Sequence, residues 1–148
     1  MAAYVETSAA NTYFAERLRS DIWTGATSED KGKALAQATR IINTLNFTSS
    51  KTDSSQSNEF PRGTGGITPQ AVLDACCEIA YELLDGFDPN IEQQNLSVVS
   101  QGFVSARTVS DKPYMNAYLI AGVPSIIAWS LLLPYLAQAT NIKLHRVS

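Results

Sequence analysis

Apolar side chains recur three and four residues apart in several stretches of the chain, a pattern that predicts amphipathic helices. The first predicted helix begins at Thr7 or Ser8, either of which can cap it, and runs to about Ser20. Leu18 belongs to its apolar side. Its solvent side is marked by charged residues, namely Glu16, Arg17 and Arg19. A turn then follows around Trp23, whose side chain we expect in the core.

The second predicted helix has a capping box at its amino end. Thr27 is the capping residue and Asp30 takes the position that Glu usually occupies. The helical pattern continues to Phe47, and its apolar stripe consists of Leu35, Ala38, Ile41, Ile42 and Leu45.

The third predicted helix has the clearest boundaries. Thr68 suits the N-cap, Pro69 the first helical position, and Gly86 the position just past the end. An acidic row lies off its apolar face and consists of Asp74, Glu78, Glu82 and Asp85. A row of this kind is typical of a solvated helix face; the alternative is a cation or general-acid site.

Two irregular regions separate the helical ones. Residues 48–66 are dense in Ser and Gly without apolar periodicity, which predicts a long loop tethered at Phe60, Pro61 and Arg62. Such a loop has no local reason to become ordered alone. β-Branched and polar residues alternate over about 96–109, which predicts a short β-hairpin that leans on the helices or pairs with a neighbouring chain.

Residues 113–142 contain no Asp, Glu, Lys, Arg or His, although charged residues make up 17% of the chain. A membrane span is one interpretation, but Pro124 and Pro134 divide the stretch into pieces too short to cross a bilayer as one helix. We favour a buried helix from Pro124 to Leu133. It should end close to Pro134, beyond which the chain should leave the domain.

These elements predict a mainly α protein: a small bundle of about four helices with a long loop, a short β-hairpin and an extended C-terminal arm. The domain comprises residues 1–137. Residues 138–148 form the arm, in which apolar and basic side chains alternate as in a peptide that docks on another protein.

The composition limits the classes of function that the chain can have. A net charge of −3 and 45% hydrophobic residues are typical of a folded globular protein. The amino end lacks a basic and apolar leader, so we expect synthesis to end in the cytoplasm. The eleven basic residues are scattered, which disfavours nucleic-acid binding. A nucleic-acid face on the second helix is one interpretation of Lys31, Lys33, Gln37 and Arg40, but Glu29 and Asp30 lie close by, so we favour a solvated surface.

No pattern in the chain predicts catalysis, a cofactor or a metal. Cys76 and Cys77 are adjacent on a helix, where an internal disulfide would be strained, so both should be reduced and one buried. The single histidine, His145, lies near the end of the chain, and no metal-ligand or nucleophile motif occurs. The glycines at 63, 65 and 66 lack the Lys-Ser/Thr of a phosphate loop.

Several segments nevertheless resemble a known family. They are ANTYFAERLRSDIW, KALAQATRIINTLNF, FPRG, ACCEIAYELLDG and AGVPSIIAWSLLLPYL. From Tyr4 to Leu136 the chain is similar to small head-to-tail connector, or adaptor, proteins of tailed bacteriophages, some of which are labelled DnaT-like single-stranded-DNA-binding proteins.

This resemblance implies a structural virion protein without catalysis, present at the head-tail junction and assembled in the host cytoplasm. Its expected partners are further copies of itself in a ring of twelve, the portal protein and the next neck or tail component. Genomic DNA would pass through the ring without sequence-specific binding, and no membrane is involved.

The resemblance also implies contact regions. Portal docking would involve Pro134, Tyr135, Leu136, Ile142, Lys143, Leu144, His145 and Arg146. Contacts between subunits or toward the tail would involve Phe60, Arg62, Val98, Phe103 and Arg107. Two alternatives remain open: a single-stranded-DNA-binding protein and a small membrane-anchored protein.

Overall fold

The computed structural model describes residues 2–88 and 117–137, and this part of the chain is mainly helical, as the sequence predicted. It contains no β-sheet, only two isolated bridges. The helices are α1 (Thr7–Ala15), α2 (Asp21–Gly25), α3 (Ser28–Asn43), α4 (Gln70–Leu84), α5 (Ala117–Ile120) and α6 (Ile126–Leu132), and a 3₁₀ turn over Leu133–Tyr135 follows α6.

Helix α4 lies at the centre of the molecule. It packs most extensively against α3 and α6, and α1 and α2 also contact it. Residues 75–80 of α4 are all buried, because neighbours surround the helix there. The largest fully buried side chains around it are Trp23, Phe14, Leu35, Ile42, Ile79 and Leu132.

The predicted amino end of α3 is confirmed. The Thr27 hydroxyl accepts a hydrogen bond from the Asp30 amide at 3.1 Å and donates one to the Asp30 carboxylate at 2.7 Å. The helix ends at Asn43 rather than Phe47, because Phe47 leaves the helical path to form an antiparallel bridge with Leu136.

The first helix is shorter than predicted. Helix α1 ends at Ala15, and the backbone turns until Arg19, whose φ of +58° is left-handed. The turn leaves Leu18 89% exposed, so its predicted place on an apolar face was wrong. The predicted turn at Trp23 is the short helix α2, while the burial of Trp23 is confirmed.

The ends of α4 differ little from the prediction. Its N-cap is Pro69 rather than Thr68, and the first helical residue is Gln70. Gly86 lies just past the end with a φ of +98°, a conformation that favours glycine.

The long loop is ordered by contacts within the chain, which corrects the expectation that it needs a partner. Phe60 is buried and packs edge-on against Phe47 and Tyr135. The Thr52 amide donates to the Pro61 carbonyl, and the Gly63 amide donates to the Ser50 carbonyl. The loop is therefore part of the domain.

The carboxyl end of the described chain combines one confirmed prediction with two corrections. Helix α6 ends at Leu132, close to Pro134 as predicted. Beyond it the chain does not leave the domain, because the Thr48 amide donates to the Tyr135 carbonyl and the Ala137 amide donates to the Asn46 carbonyl, both at 2.9 Å.

The second correction concerns the burial of α6, which was expected to be complete. Only Ala128 and Leu132 of this helix are buried. Large apolar side chains near and on its outer side are at least half exposed, namely Ile120, Ile126, Ile127 and Leu133.

The predicted hairpin at 96–109 and the arm at 138–148 lie outside the described residues. Among the helices that are described, none is long and apolar enough to span a membrane.

Candidate nucleic-acid interface

The basic side chains of the described segments differ in whether a carboxylate neutralises them. Four form ion pairs: Arg17 with Glu78, Lys33 with Glu29, and both Lys51 and Arg62 with Glu59. Within residues 2–88 and 117–137, three others form none, namely Arg19, Lys31 and Arg40. Among the cations of these two segments, the latter three have no carboxylate partner, so their positive charge remains available for phosphate.

The Arg17–Glu78 pair forms a polar cluster between α1 and α4. Arg17 donates to both carboxylate oxygens of Glu78, from Nε at 2.8 Å and from the terminal nitrogen at 3.0 Å. The Tyr13 hydroxyl donates to the same carboxylate at 2.7 Å. Glu78 is only 2% exposed, so the predicted solvated positions of Glu78 and Arg17 were wrong.

The pKa values of Tyr13 and Arg17 in this cluster are both raised, so both side chains keep their protons. Burial and the Glu78 carboxylate both raise the pKa of Tyr13, which stays protonated as a donor. Burial lowers the pKa of Arg17, but its hydrogen bonds with Glu78 and the attraction of that charge outweigh burial and raise it. Arg17 is thus committed to the fold, with its guanidinium also 4.3 Å from the centre of the Tyr81 ring.

Arg62 is similarly occupied inside the long loop. It donates to the carbonyls of Thr48, at 3.0 Å, and of Ser49, and it pairs with Glu59. Lys51 approaches the same carboxylate at 3.1 Å. These two cations organise the loop and share the single carboxylate of Glu59.

One wide cleft is poorly suited to phosphate. It has a volume of about 630 Å³ and lies between α2, α3 and the end of α4. Asp21 and Asp30 line it together with Lys33, which Glu29 already neutralises. Two carboxylates would repel an anionic backbone.

Most aromatic rings near the unpaired cations are used in internal stacking. Phe14 stacks on Trp23 at 4.5 Å and on Tyr81 at 5.7 Å between ring centres. The Lys31 ammonium lies 5.4 Å from the Trp23 ring, and Arg17 covers Tyr81. These rings therefore have little surface left on which a nucleic-acid base could stack.

Trp129 on α6 is different. It is half-buried, and no aromatic ring or cation of the described segments packs on it; its indole N–H also has no hydrogen-bond partner there. It lines a cleft of about 300 Å³, whose other walls are residues 44–46, Ala121, Leu136 and Ala137. The sequence did not indicate this site, because the pattern from Pro124 to Leu133 predicts a buried helix.

The two cysteines are free and both are buried, one more than predicted. Burial raises the pKa of the Cys76 thiol to about 11 and also raises that of Cys77. Thiols held in the protonated form are weak nucleophiles and poor metal ligands. Among the described residues, no group of three or more His, Cys, Asp and Glu side chains could hold a metal.

The contact regions predicted from the sequence are only partly visible. Tyr135 and Leu136 contact the loop around Phe47, and Phe60 is a core residue. Contacts of these residues, and of Arg62 and Pro134, with other subunits or with the portal stay predictions. The remaining predicted contacts lie outside the described residues, namely Ile142, Lys143, Leu144, His145, Arg146, Val98, Phe103 and Arg107.

The comparison with protein families gives a match over nearly the whole chain. The model of a family described as "Putative DnaT-like ssDNA binding protein" matches residues 1–147. No curated protein and no solved structure matches the chain. The family description names DNA binding and no virion component, so it agrees with the alternative of the sequence analysis better than with the head-to-tail adaptor.

Proposed function

Because the chain belongs to the DnaT-like ssDNA binding protein family, we propose that it binds single-stranded DNA. The family match over nearly the whole length is the observation that carries this proposal. An acidic protein can do so only where local cations are free of carboxylate partners, since counterion release from phosphate drives such binding.

The unpaired cations of the described segments set the expected strength of DNA binding. Arg19 and Arg40 are exposed, and Lys31 is half-buried beside Trp23. If these three cations contact phosphate, the logarithm of the affinity should fall with the logarithm of salt concentration with a slope of about −2. Binding should therefore be moderate at low salt and weaken only gradually as salt is added.

Fluorescence anisotropy with a labelled oligothymidylate, measured over a series of salt concentrations, tests the proposal. Combined substitution of Arg19, Lys31 and Arg40 by Ala should weaken binding and flatten the salt dependence. Lys33→Ala is the matched control, because Lys33 is also exposed on α3 but is paired with Glu29 at 2.6 Å. It should leave both quantities nearly unchanged.

Two results would contradict the proposal. One is the absence of oligonucleotide binding at low salt. The other is equal or tighter binding of double-stranded DNA of the same length, which would indicate nonspecific attraction to phosphate rather than recognition of a single strand.

A second candidate function is a non-catalytic structural role in the virion, as a ring of copies that joins head and tail. The exposed apolar side chains near and on α6 favour assembly, because contiguous apolar surface commonly marks protein interfaces. In this candidate the second copy of the chain covers Ile126, Ile127 and Leu133. The family description does not mention this role, and a ring that surrounds DNA would be compatible with weak DNA contact.

A further inference from the structure

Two residues that line the cleft at Trp129, Trp129 itself and Asn46, have groups that could contact a ligand. The indole has no ring or cation of residues 2–88 and 117–137 packed on it, in contrast to Trp23, which lies between Phe14 and Lys31. Asn46 is exposed and also lines the cleft, and its side-chain amide has no hydrogen-bond partner in the same residues. An aromatic face and an amide are the two groups that bind an unpaired base, by stacking and by hydrogen bonds to its edge.

The size and polarity of the cleft suit one base. Its volume of about 300 Å³ is at the lower end of the range for small-molecule sites. Among residues 2–88 and 117–137, no charged residue lines it, so a neutral aromatic ring can enter without leaving one of their charges buried and unpaired.

The positively charged side chain of Arg40 lies near the cleft. Arg40 precedes Thr44 by one turn of α3 and is therefore its neighbour on the helix surface. Arg40 is exposed and forms no ion pair in the described segments. The sequence from Gln37 to Asn46 has no acidic residue, and neither do residues 117–137, so no carboxylate of these two segments opposes a phosphate there.

We propose that this cleft takes up one unpaired base of single-stranded DNA, stacked on Trp129, with the Asn46 amide at the edge of the base and Arg40 at the adjacent phosphate. The inference rests on the proposed function and assigns its site. It also separates base contact at α6 from the charge contacts of Arg19 and Lys31.

The two tryptophans allow a direct test. Trp23→Phe leaves Trp129 as the only indole, and Trp129→Phe leaves Trp23, which is 1% exposed. Titration of each full-length protein with oligothymidylate should quench the emission of Trp129 and leave that of Trp23 unchanged. A strand of the same length with abasic sugars should bind more weakly and should not quench Trp129, because it presents phosphate without bases.

Affinity provides the second measurement. Trp129→Ala should weaken oligothymidylate binding about fivefold or more, as expected from the loss of one stacked base. Ser130→Ala is the matched control: Ser130 is exposed on the same helix, next to Trp129, but does not line the cleft. It should bind as the unmodified protein does, and circular dichroism checks that both variants are folded.

The outcomes distinguish this inference from the proposed function. If neither the unmodified protein nor any variant binds oligothymidylate, the proposed function fails and this inference fails with it. If binding is intact but Trp129 is not quenched and Trp129→Ala binds normally, only this inference is overturned. A Trp129 signal that changes with protein concentration and not with DNA would assign the cleft to contact between copies, which also overturns it.

Discussion

The buried carboxylate of Glu78 depends on two side chains from α1 and the turn that follows it. Arg17 supplies two hydrogen bonds and the opposite charge, and Tyr13 supplies a third hydrogen bond. A buried charge that loses its partner keeps its desolvation cost, so the loss of one partner is much more costly than the net value of the pair.

We therefore expect Arg17→Ala to lower the free energy of unfolding by about 3 kcal/mol, since Arg17 is partly exposed and water can compensate some of the loss. Urea unfolding measures the change. Glu29→Ala is the control: it breaks the exposed pair with Lys33 and should cost no more than about 0.5 kcal/mol.

A double variant separates charge burial from packing. Replacing Arg17 and Glu78 by Met and Leu removes both charges and should recover much of the stability lost in Arg17→Ala. Equal losses in Arg17→Ala and Glu29→Ala would show that the Glu78 carboxylate reaches water and that this account of the cluster is wrong.

The sequence could not predict this cluster. Glu78 belongs to an acidic row with Asp74, Glu82 and Asp85, and such spacing usually marks a solvated face. Glu78 is buried because other helices surround the middle of α4, and this packing depends on tertiary structure. A usable signal was the run of small and apolar residues on both sides of Glu78, which is typical of a central helix.

Among the elements, the long loop is held together by the guanidinium of Arg62. Arg62 donates to backbone carbonyls at the start of the loop and pairs with Glu59 near its end, so it connects the two sides. A planar fork with several donors can satisfy these acceptors at once, whereas an ammonium cannot reproduce the geometry.

Substitution of Arg62 by Ala or by Lys should open the loop without unfolding the helices. Hydrogen exchange of the Thr52 and Gly63 amides should become faster by roughly tenfold, because their partners lie across the loop. Lys51→Ala removes a cation that makes one contact with the same carboxylate and should have a smaller effect.

Exchange rates in Arg62→Lys equal to those of the unmodified protein would contradict this account, since they would show that charge alone holds the loop. An increase that extends to the amides of α3 and α4 would instead indicate a loss of global stability.

Element boundaries were predictable where a local signal sets them. The Thr27 cap and Gly86 act through their own backbone and nearest neighbours, and both were found from the sequence. Phe47, in contrast, was assigned to the second helix because its spacing fits, yet a bridge to Leu136 places it elsewhere. Contacts between distant segments have no periodic signature in the sequence.

At the scale of the whole molecule, the exposed apolar side of α6 is the surface most in need of explanation. The sequence predicts a buried helix from Pro124 to Leu133, whereas the structure buries only one side of α6. The other side carries no charge that would oppose a second copy.

If copies associate through this surface, the molecular mass in solution should rise with concentration, and Ile126→Lys should shift it toward the monomer. Burying a lysine at an apolar contact costs several kcal/mol, enough to dissociate a modest interface. Sedimentation velocity measures the change. Leu18→Lys is the control, because Leu18 is 89% exposed but lies on the turn after α1.

A monomer at all concentrations would contradict the assembly candidate and leave DNA binding unaffected. Equal effects of the two lysine substitutions would show that added charge, and not the surface near α6, controls association.

The contact of Phe60 with Tyr4 and Tyr135 has a further consequence for the order of folding. The Phe60 amide donates to the Tyr4 hydroxyl across 56 residues of sequence, and the Thr48 hydroxyl donates to the Tyr135 carbonyl across 87. Closing loops of this length costs entropy that the completed contacts must offset. The amino-terminal segment is synthesised first, yet the aromatic cluster that Tyr4 joins through Phe60 is complete only after Tyr135 has been made.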